Sequence, residues 1–329
     1  MSRAAETLAS IPLASRVIMG LCILTYAYQL LFDPPLHNYT ICPKEVIYNH
    51  ELYRFITSSL FHGSLMHIGM NMMSTMAIGG MLEKQIGTIM MGLTILWGIV
   101  LTSTIYVFIS WLLYAAFGYE KMMLQHSLGF SGVIFQLSVL ESNMNPNRSR
   151  SVFGVFHVSA RLYPWALLLV LQFIMPQISF LGHLSGILIG TLQYYGVLDK
   201  LFPSQTRLHE YETSERLGAI RRQPGYVSLP ENTGQRETPD LRAALFASFG
   251  CISLYVGNIC ETIKVMIFGR GADANANIQL EELTELTAAW GSSDATTSDA
   301  GGAGTVQDIE DDEEWAGLPE VIQRSTEEM

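Results

Sequence analysis

Charge is scarce in this sequence: Asp, Glu, Lys and Arg together make up 15% of 329 residues, whereas 49% are hydrophobic. The apolar residues stand in long blocks rather than at amphipathic spacing, which excludes an ordinary water-soluble domain and points to an all-α polytopic membrane protein. Cysteine is scarce too. Cys22, Cys42, Cys251 and Cys260 are too few and too scattered for a disulfide framework or a metal cluster, so neither metal nor cofactor is expected. No nucleic-acid partner is expected. The net charge of −11 is misleading, because residues 273–329 carry fifteen acidic side chains and one basic, Arg324, which leaves +3 for the rest of the chain.

The apolar blocks predict six membrane spans within residues 1–200. Val17–Phe32 follows Arg3 and Arg16 and ends at Asp33-Pro34-Pro35; with no Ala-x-Ala-like site beside it, it reads as an uncleaved first span. The amphipathic stretch from there to Ser64 reads as lying at the interface. Leu65–Leu82 is the second span and Thr88–Phe117 the third, which at thirty residues would reach about 45 Å and exceed a ~30 Å hydrocarbon core. Ser127–Leu140, the fourth, would cover only about 21 Å. Its upper end is therefore expected below the membrane surface, in a protein-lined cavity where irregular backbone is tolerated. A polar loop, Glu141–Arg161, leads to the fifth and sixth spans, Leu162–Met175 and Ile178–Leu198. Arg3, Arg16, Lys84, Arg148, Arg150, Arg161, Lys200, Arg207, Arg216, Arg221 and Arg222 fall on one side, against Lys44, Arg54 and Lys121 on the other, so both ends of the six-span unit are expected to be cytosolic.

After the spans, 201–242 reads as a linker and 243–270 as an apolar helix, interfacial or a seventh span. The acidic stretch 271–329 reads as largely disordered. Within it, Glu310–Glu314 followed by Trp315 has some likeness to a ubiquitin-interacting helix, a link to degradation machinery, although Pro319 interrupts it.

Against this background a few polar residues stand out. Ser131 sits between glycines in Leu128-Gly129-Phe130-Ser131-Gly132, and His183 lies in Gly182-His183-Leu184-Ser185-Gly186. Ionisable groups inside a span are expensive and mark function. Gly182, Gly186 and Gly190 recur every four residues, leaving a strip on which a second helix can pack closely. His67 and Asn71, four apart, share a face of the second span. Ser131 and His183 are expected to form a nucleophile–base dyad, for no carboxylate is available at that depth to make a triad. Asn71, with His67 and the Ser131 backbone N–H, would stabilise the oxyanion, and Phe135, one turn below Ser131, would stack on the imidazole.

These motifs resemble those of the rhomboid intramembrane serine proteases: Gly129-Phe130-Ser131-Gly132, Gly182-His183 with Gly186 and Gly190, and His67-x-x-x-Asn71, over about residues 10–200. Tyr53-Arg54 is similar to the Trp-Arg pair of the family's first loop, and His62 matches another histidine there. Tyr53 replaces the usual tryptophan, and Phe135 stands where many members carry tyrosine. The resemblance implies a six-transmembrane-helix rhomboid bundle that cleaves single-pass or polytopic membrane proteins within the lipid bilayer. The long C-terminal tail is most like that of the endoplasmic-reticulum members. A catalytically inactive relative that delivers membrane clients for degradation is the alternative, although such relatives typically lack the serine or the histidine.

Overall fold

The computed structural model describes residues 10–230 except 145 and 147, all within one compact unit. The expected apolar helix at 243–270 and the acidic tail lie outside the described residues. The fold is largely helical.

Helix α1, Leu13–Phe32, begins after Pro12 and ends where Asp33 turns left-handed (φ 44°) ahead of two prolines. Its first N–H groups would be orphans at a helix start. Glu83 caps them instead, accepting from the Ala14 N–H, the Ser15 N–H and the Ser15 hydroxyl at 2.8 Å each, and from the Thr88 hydroxyl at 2.7 Å. The first loop holds two short helices, α2 (Pro43–Tyr48) and α3 (Arg54–Leu60). It does not simply lie on a surface: Val46, Arg54, Ser58 and Ser59 are buried against the bundle, while Tyr48, Leu52, Tyr53 and Ile56 face outward.

The second apolar block forms a continuous rod: α4 (Leu65–Ser74), a π-helical turn (Thr75–Gly79) and α5 (Gly80–Ile86), stopped by Gly87 at φ 82°. It runs a turn beyond the expected end at Leu82. Helix α6, Thr88–Phe117, has the expected thirty residues and ends at left-handed Gly118. A short α7 (Glu120–Leu124) follows. Among the described residues, α1 and α6 are long and apolar enough to cross a membrane by length and composition, and the apolar stretch Ala160–Ile174 is shorter.

Helix α8 runs from Ser131 to Met144, not from Ser127 to Leu140. The residues before it are held extended by long-range bonds: Ile41 and Ser127 pair antiparallel, and the Gly129 N–H donates to the Ser58 carbonyl at 2.7 Å. Val133–Ser142 is buried without a break. A helix buried all round lies in the middle of a bundle, and α8, despite Gln136, Ser138, Glu141 and Ser142 on its buried surface, is enclosed by α6, the α4–α5 rod and the two helices that follow it.

The expected polar loop after α8 is folded. Strands β1 (Ser149–Val152) and β2 (Phe156–Ser159) pair as an antiparallel hairpin. Helices α9 (Tyr163–Ile174) and α10 (Phe180–Tyr194) complete the bundle; Ser179 caps α10 by accepting from the Gly182 N–H at 3.1 Å. The start of the expected linker is folded too. It carries α11 (Gln205–Thr213) and α12 (Gly218–Arg221), then returns to the bundle. There the Gly225 carbonyl accepts from the Leu13 N–H at 2.8 Å and the Val227 carbonyl from the Thr88 N–H at 2.9 Å, satisfying the starts of α1 and α6.

Candidate active site

Ser131 is the first residue of α8, at the end of the extended approach, so its hydroxyl is not enclosed by a preceding turn. His183 lies one turn into α10 and is buried, 6% exposed. The two side chains meet across the helix pair, with His183 Nε2 2.8 Å from Ser131 Oγ. The glycine strip allows this. A Cβ on Gly186 would overlap the Gly132 carbonyl oxygen, and one on Gly190 would lie 2.8 Å from both the Gln136 oxygen and the Val139 Cβ. Gly182 is looser, its would-be Cβ 3.2 Å from Ser179 Oγ and 3.3 Å from Ser127 Oγ. Phe135 and His183 stack with ring centroids 4.6 Å apart at 29°. Among the described residues His183 Nδ1 has no hydrogen-bond partner, so the ring is held by stacking and packing.

His67 and Asn71 of α4 face the same place from the other side. Gly129 has φ 112°, a conformation open to glycine, and a Cβ there would lie 2.6 Å from His67 Nε2 and Cε1 and 3.7 Å from Asn71 Nδ2. Asn71 Nδ2 donates to the His67 carbonyl at 3.0 Å, which holds the amide on this face. The Gly63 N–H points to His67 Nδ1 at 3.4 Å, an acceptor position that leaves the proton of the neutral ring on Nε2, toward the serine loop. His67, Asn71, Gly129, Ser131, Phe135 and His183 line one cavity of about 340 Å³.

Residues 49–200 match the family model of the Rhomboid domain. The chain is 34% identical over 226 residues to Rhomboid-like protein 15 of Arabidopsis thaliana, covering 66% of this chain and 55% of that protein. It is 30% identical over 167 residues to Rhomboid-related protein 4 of Mus musculus, 51% of this chain and 53% of the relative. It is 27% identical over 238 residues to Rhomboid-type serine protease 2 of Gibberella zeae, 70% of this chain and 84% of the relative. Residues 49–200 are a rhomboid domain, and the relatives named support the same family. That family is membrane-embedded and includes serine proteases by name. The chain spans about half the length of the first two of these relatives.

Two supports hold this rhomboid site; of their residues Arg54 and His62 entered through the family resemblance, and Gln29 was not singled out in the sequence. Gln29 of α1 clamps the loop before α4: its amide donates to the His62 carbonyl at 2.9 Å and accepts from the His62 N–H at 3.1 Å. A glutamine inside an apolar run was the available signal. His62, fully buried, lies edge-on to His67 at 5.1 Å. Burial pushes its imidazole down to about 4. The ring is therefore neutral at pH 7, placing Nδ1–H toward the Leu60 carbonyl (3.0 Å) and Nε2 toward the Phe130 N–H (3.5 Å). The second support is Arg54, 3% exposed, which donates to the His37 and Thr40 carbonyls at 2.6 and 2.7 Å and pairs with Glu51. The same loop delivers the Ser58 carbonyl that fixes Gly129.

Proposed function

We propose that this rhomboid chain is an intramembrane serine endopeptidase that cleaves single-pass or polytopic membrane proteins in or near a transmembrane segment. The observation that carries the reading is the 2.8 Å contact between Ser131 Oγ and His183 Nε2 at the edge of a cavity that also presents His67 and Asn71. In this reading His183 Nε2 takes the hydroxyl proton as Oγ attacks the peptide carbonyl carbon. The carbonyl oxygen becomes an oxyanion, held by Asn71 Nδ2, His67 Nε2–H and the Ser131 N–H. Collapse breaks the C–N bond, the amine leaves with the proton from the imidazolium, and an acyl-serine remains. Water, deprotonated by the same imidazole, hydrolyses that ester and restores the hydroxyl.

The remaining parts of the proposal follow from helix lengths and charge. We read six spans: α1, the Leu65–Ile86 rod, α6, α8, α9 and α10. At 14, 12 and 15 residues the last three reach about 21, 18 and 22 Å, which favours a thin bilayer such as that of the endoplasmic reticulum. The distribution of Lys and Arg favours cytosolic ends for this unit.

The test is cleavage of a transmembrane model substrate by purified protein in proteoliposomes. Ser131→Ala and His183→Ala should each abolish cleavage, and the double variant should be no worse than either, because the two act as one unit. Wild type that binds membrane clients without cutting any would replace this reading with client delivery.

A further inference from the structure

We propose that the β1–β2 hairpin is a membrane-surface anchor whose apolar tip, Phe153, Val155 and Phe156, inserts into an anionic leaflet where α8 ends and α9 begins. The hairpin is two-faced. Ser149 pairs with Ser159 and Ser151 with His157, whereas Arg150 pairs with Val158 and Val152 with Phe156. Residues opposite one another share a face, so one face is wholly polar and the other apolar apart from Arg150. That second face is turned to the bundle at Arg150 and Val152, whereas Phe156 at its tip end is exposed. Val152 is fully buried, and Arg150 pairs with the buried Glu141 while lying 5.7 Å over the Tyr163 ring.

The tip runs against ordinary turn chemistry. The Val155 N–H bonds to the Val152 carbonyl at 3.0 Å across Phe153 (φ 50°) and Gly154 (φ 75°), both left-handed. Turns of this kind take Asn or Gly at the first central position. Here a phenylalanine holds it, 54% exposed, beside Val155 at 81% and Phe156 at 41%. Neighbouring surface identifies the occupant. Leu162 and the α9 residues Trp165, Leu169 and Phe173, spaced three or four apart, are also exposed, so the tip continues an outward apolar stripe. A tryptophan in the first turn of a membrane helix marks the headgroup level. From Arg148 to Arg161 there is no acidic residue, and Arg148 and Arg161 are both exposed at the hairpin's base, joined by the Ala160 N–H to Arg148 carbonyl bond at 2.8 Å. Apolar tip and basic flanks together fit a lipid surface bearing phosphate charge.

The experiment uses the full chain in nanodiscs, with its four cysteines replaced by alanine and a nitroxide placed at Val155→Cys or, on the polar face, Ser151→Cys. Collision with dissolved oxygen reports lipid, and collision with a water-soluble nickel chelate reports water. The oxygen-to-nickel ratio should be several-fold higher at 155 than at 151 and should rise when zwitterionic lipid is partly replaced by anionic lipid. Arg148→Gln with Arg161→Gln should remove that lipid dependence. If the cysteine-free protein does not fold, Val155→Trp in the unaltered chain should add fluorescence that brominated lipids quench. Equal ratios at the two positions, no added quenching, or a label at 155 shielded from both reagents would each overturn the anchor; the last would indicate a protein partner.

Discussion

The sharpest consequence of the glycine strip concerns Gly186→Ala. A Cβ at this position would lie 2.9 Å from the Gly132 carbonyl carbon and 3.0 Å from the Phe135 Cβ, and nearer still to the Gly132 oxygen. None of these atoms is the free end of a flexible side chain. Restoring ordinary contact of about 3.5 Å therefore requires α8 and α10 to part by at least about 1 Å. If the parting is transmitted to the dyad, one turn away, the Ser131–His183 separation goes from 2.8 Å to about 3.8 Å, past hydrogen-bond reach. Misplacement of about 1 Å costs on the order of 10²-fold in rate, and the overpacking itself about 1–3 kcal/mol of stability. Cleavage in proteoliposomes and the rate of Ser131 labelling by a fluorophosphonate should fall together. Gly92→Ala in α6, where nothing lies within 4 Å of the added carbon, should stay within about twofold of wild type. Gly186→Ala protein that melts normally and cleaves at the full rate would refute the claim that this contact sets the dyad distance.

Two further outcomes follow from the site. Asn71→Ala removes one proposed oxyanion donor while His67 and the Ser131 N–H remain, so kcat should drop by about 10²-fold with KM little changed, measured under steady-state conditions. His62 contributes to the pH dependence of stability: its folded value of about 4 lies below the ordinary 6.5, so the unfolded chain binds more protons there between these values. Its contribution to stability is then complete above about pH 6.5 and lost as pH falls toward 4, by at most about 3 kcal/mol. The decline in thermal stability across this range should be shallower in His62→Gln, and an identical slope in both proteins would exclude His62 as its source.

Much of the bundle was legible because an apolar chain makes its exceptions conspicuous. Thr88–Phe117 could be bounded from composition alone, since glycine stands at each end and no charge interrupts it. Ser131, His183, His67 and Asn71 could be picked out because each breaks an apolar run. What could not be read depends on partners distant in sequence. Ser127 looked like the start of a helix, yet its pairing with Ile41 keeps it extended and delays α8 to Ser131. The same holds for residues 201–230, polar enough to resemble a linker, whose carbonyls are used to cap α1 and α6 more than a hundred residues earlier. The hairpin left a local trace in Val152, Phe156 and Val158 around Gly154, but basic and serine residues between them hid the alternation.

The geometry also bears on how the proposed dyad could work without a carboxylate. In a triad an acid fixes the histidine through Nδ1; here that atom has no partner among the described residues, and Phe135 lies against the ring instead. Stacking fixes the plane of an imidazole but not its distance from a nucleophile on another helix. That distance is left to the backbones of α8 and α10, which approach closely at Gly132, Gly186 and Gly190. Close packing tolerates little displacement, so a glycine contact can hold a separation that a flexible side-chain network would let drift. The serine loop is fixed independently, by the Ser58 carbonyl on Gly129 and the pairing of Ser127 with Ile41. The proposed nucleophile and base are therefore held by different supports, the first loop for Ser131 and the helix contact for His183, and only the second is sensitive to a methyl group at Gly186.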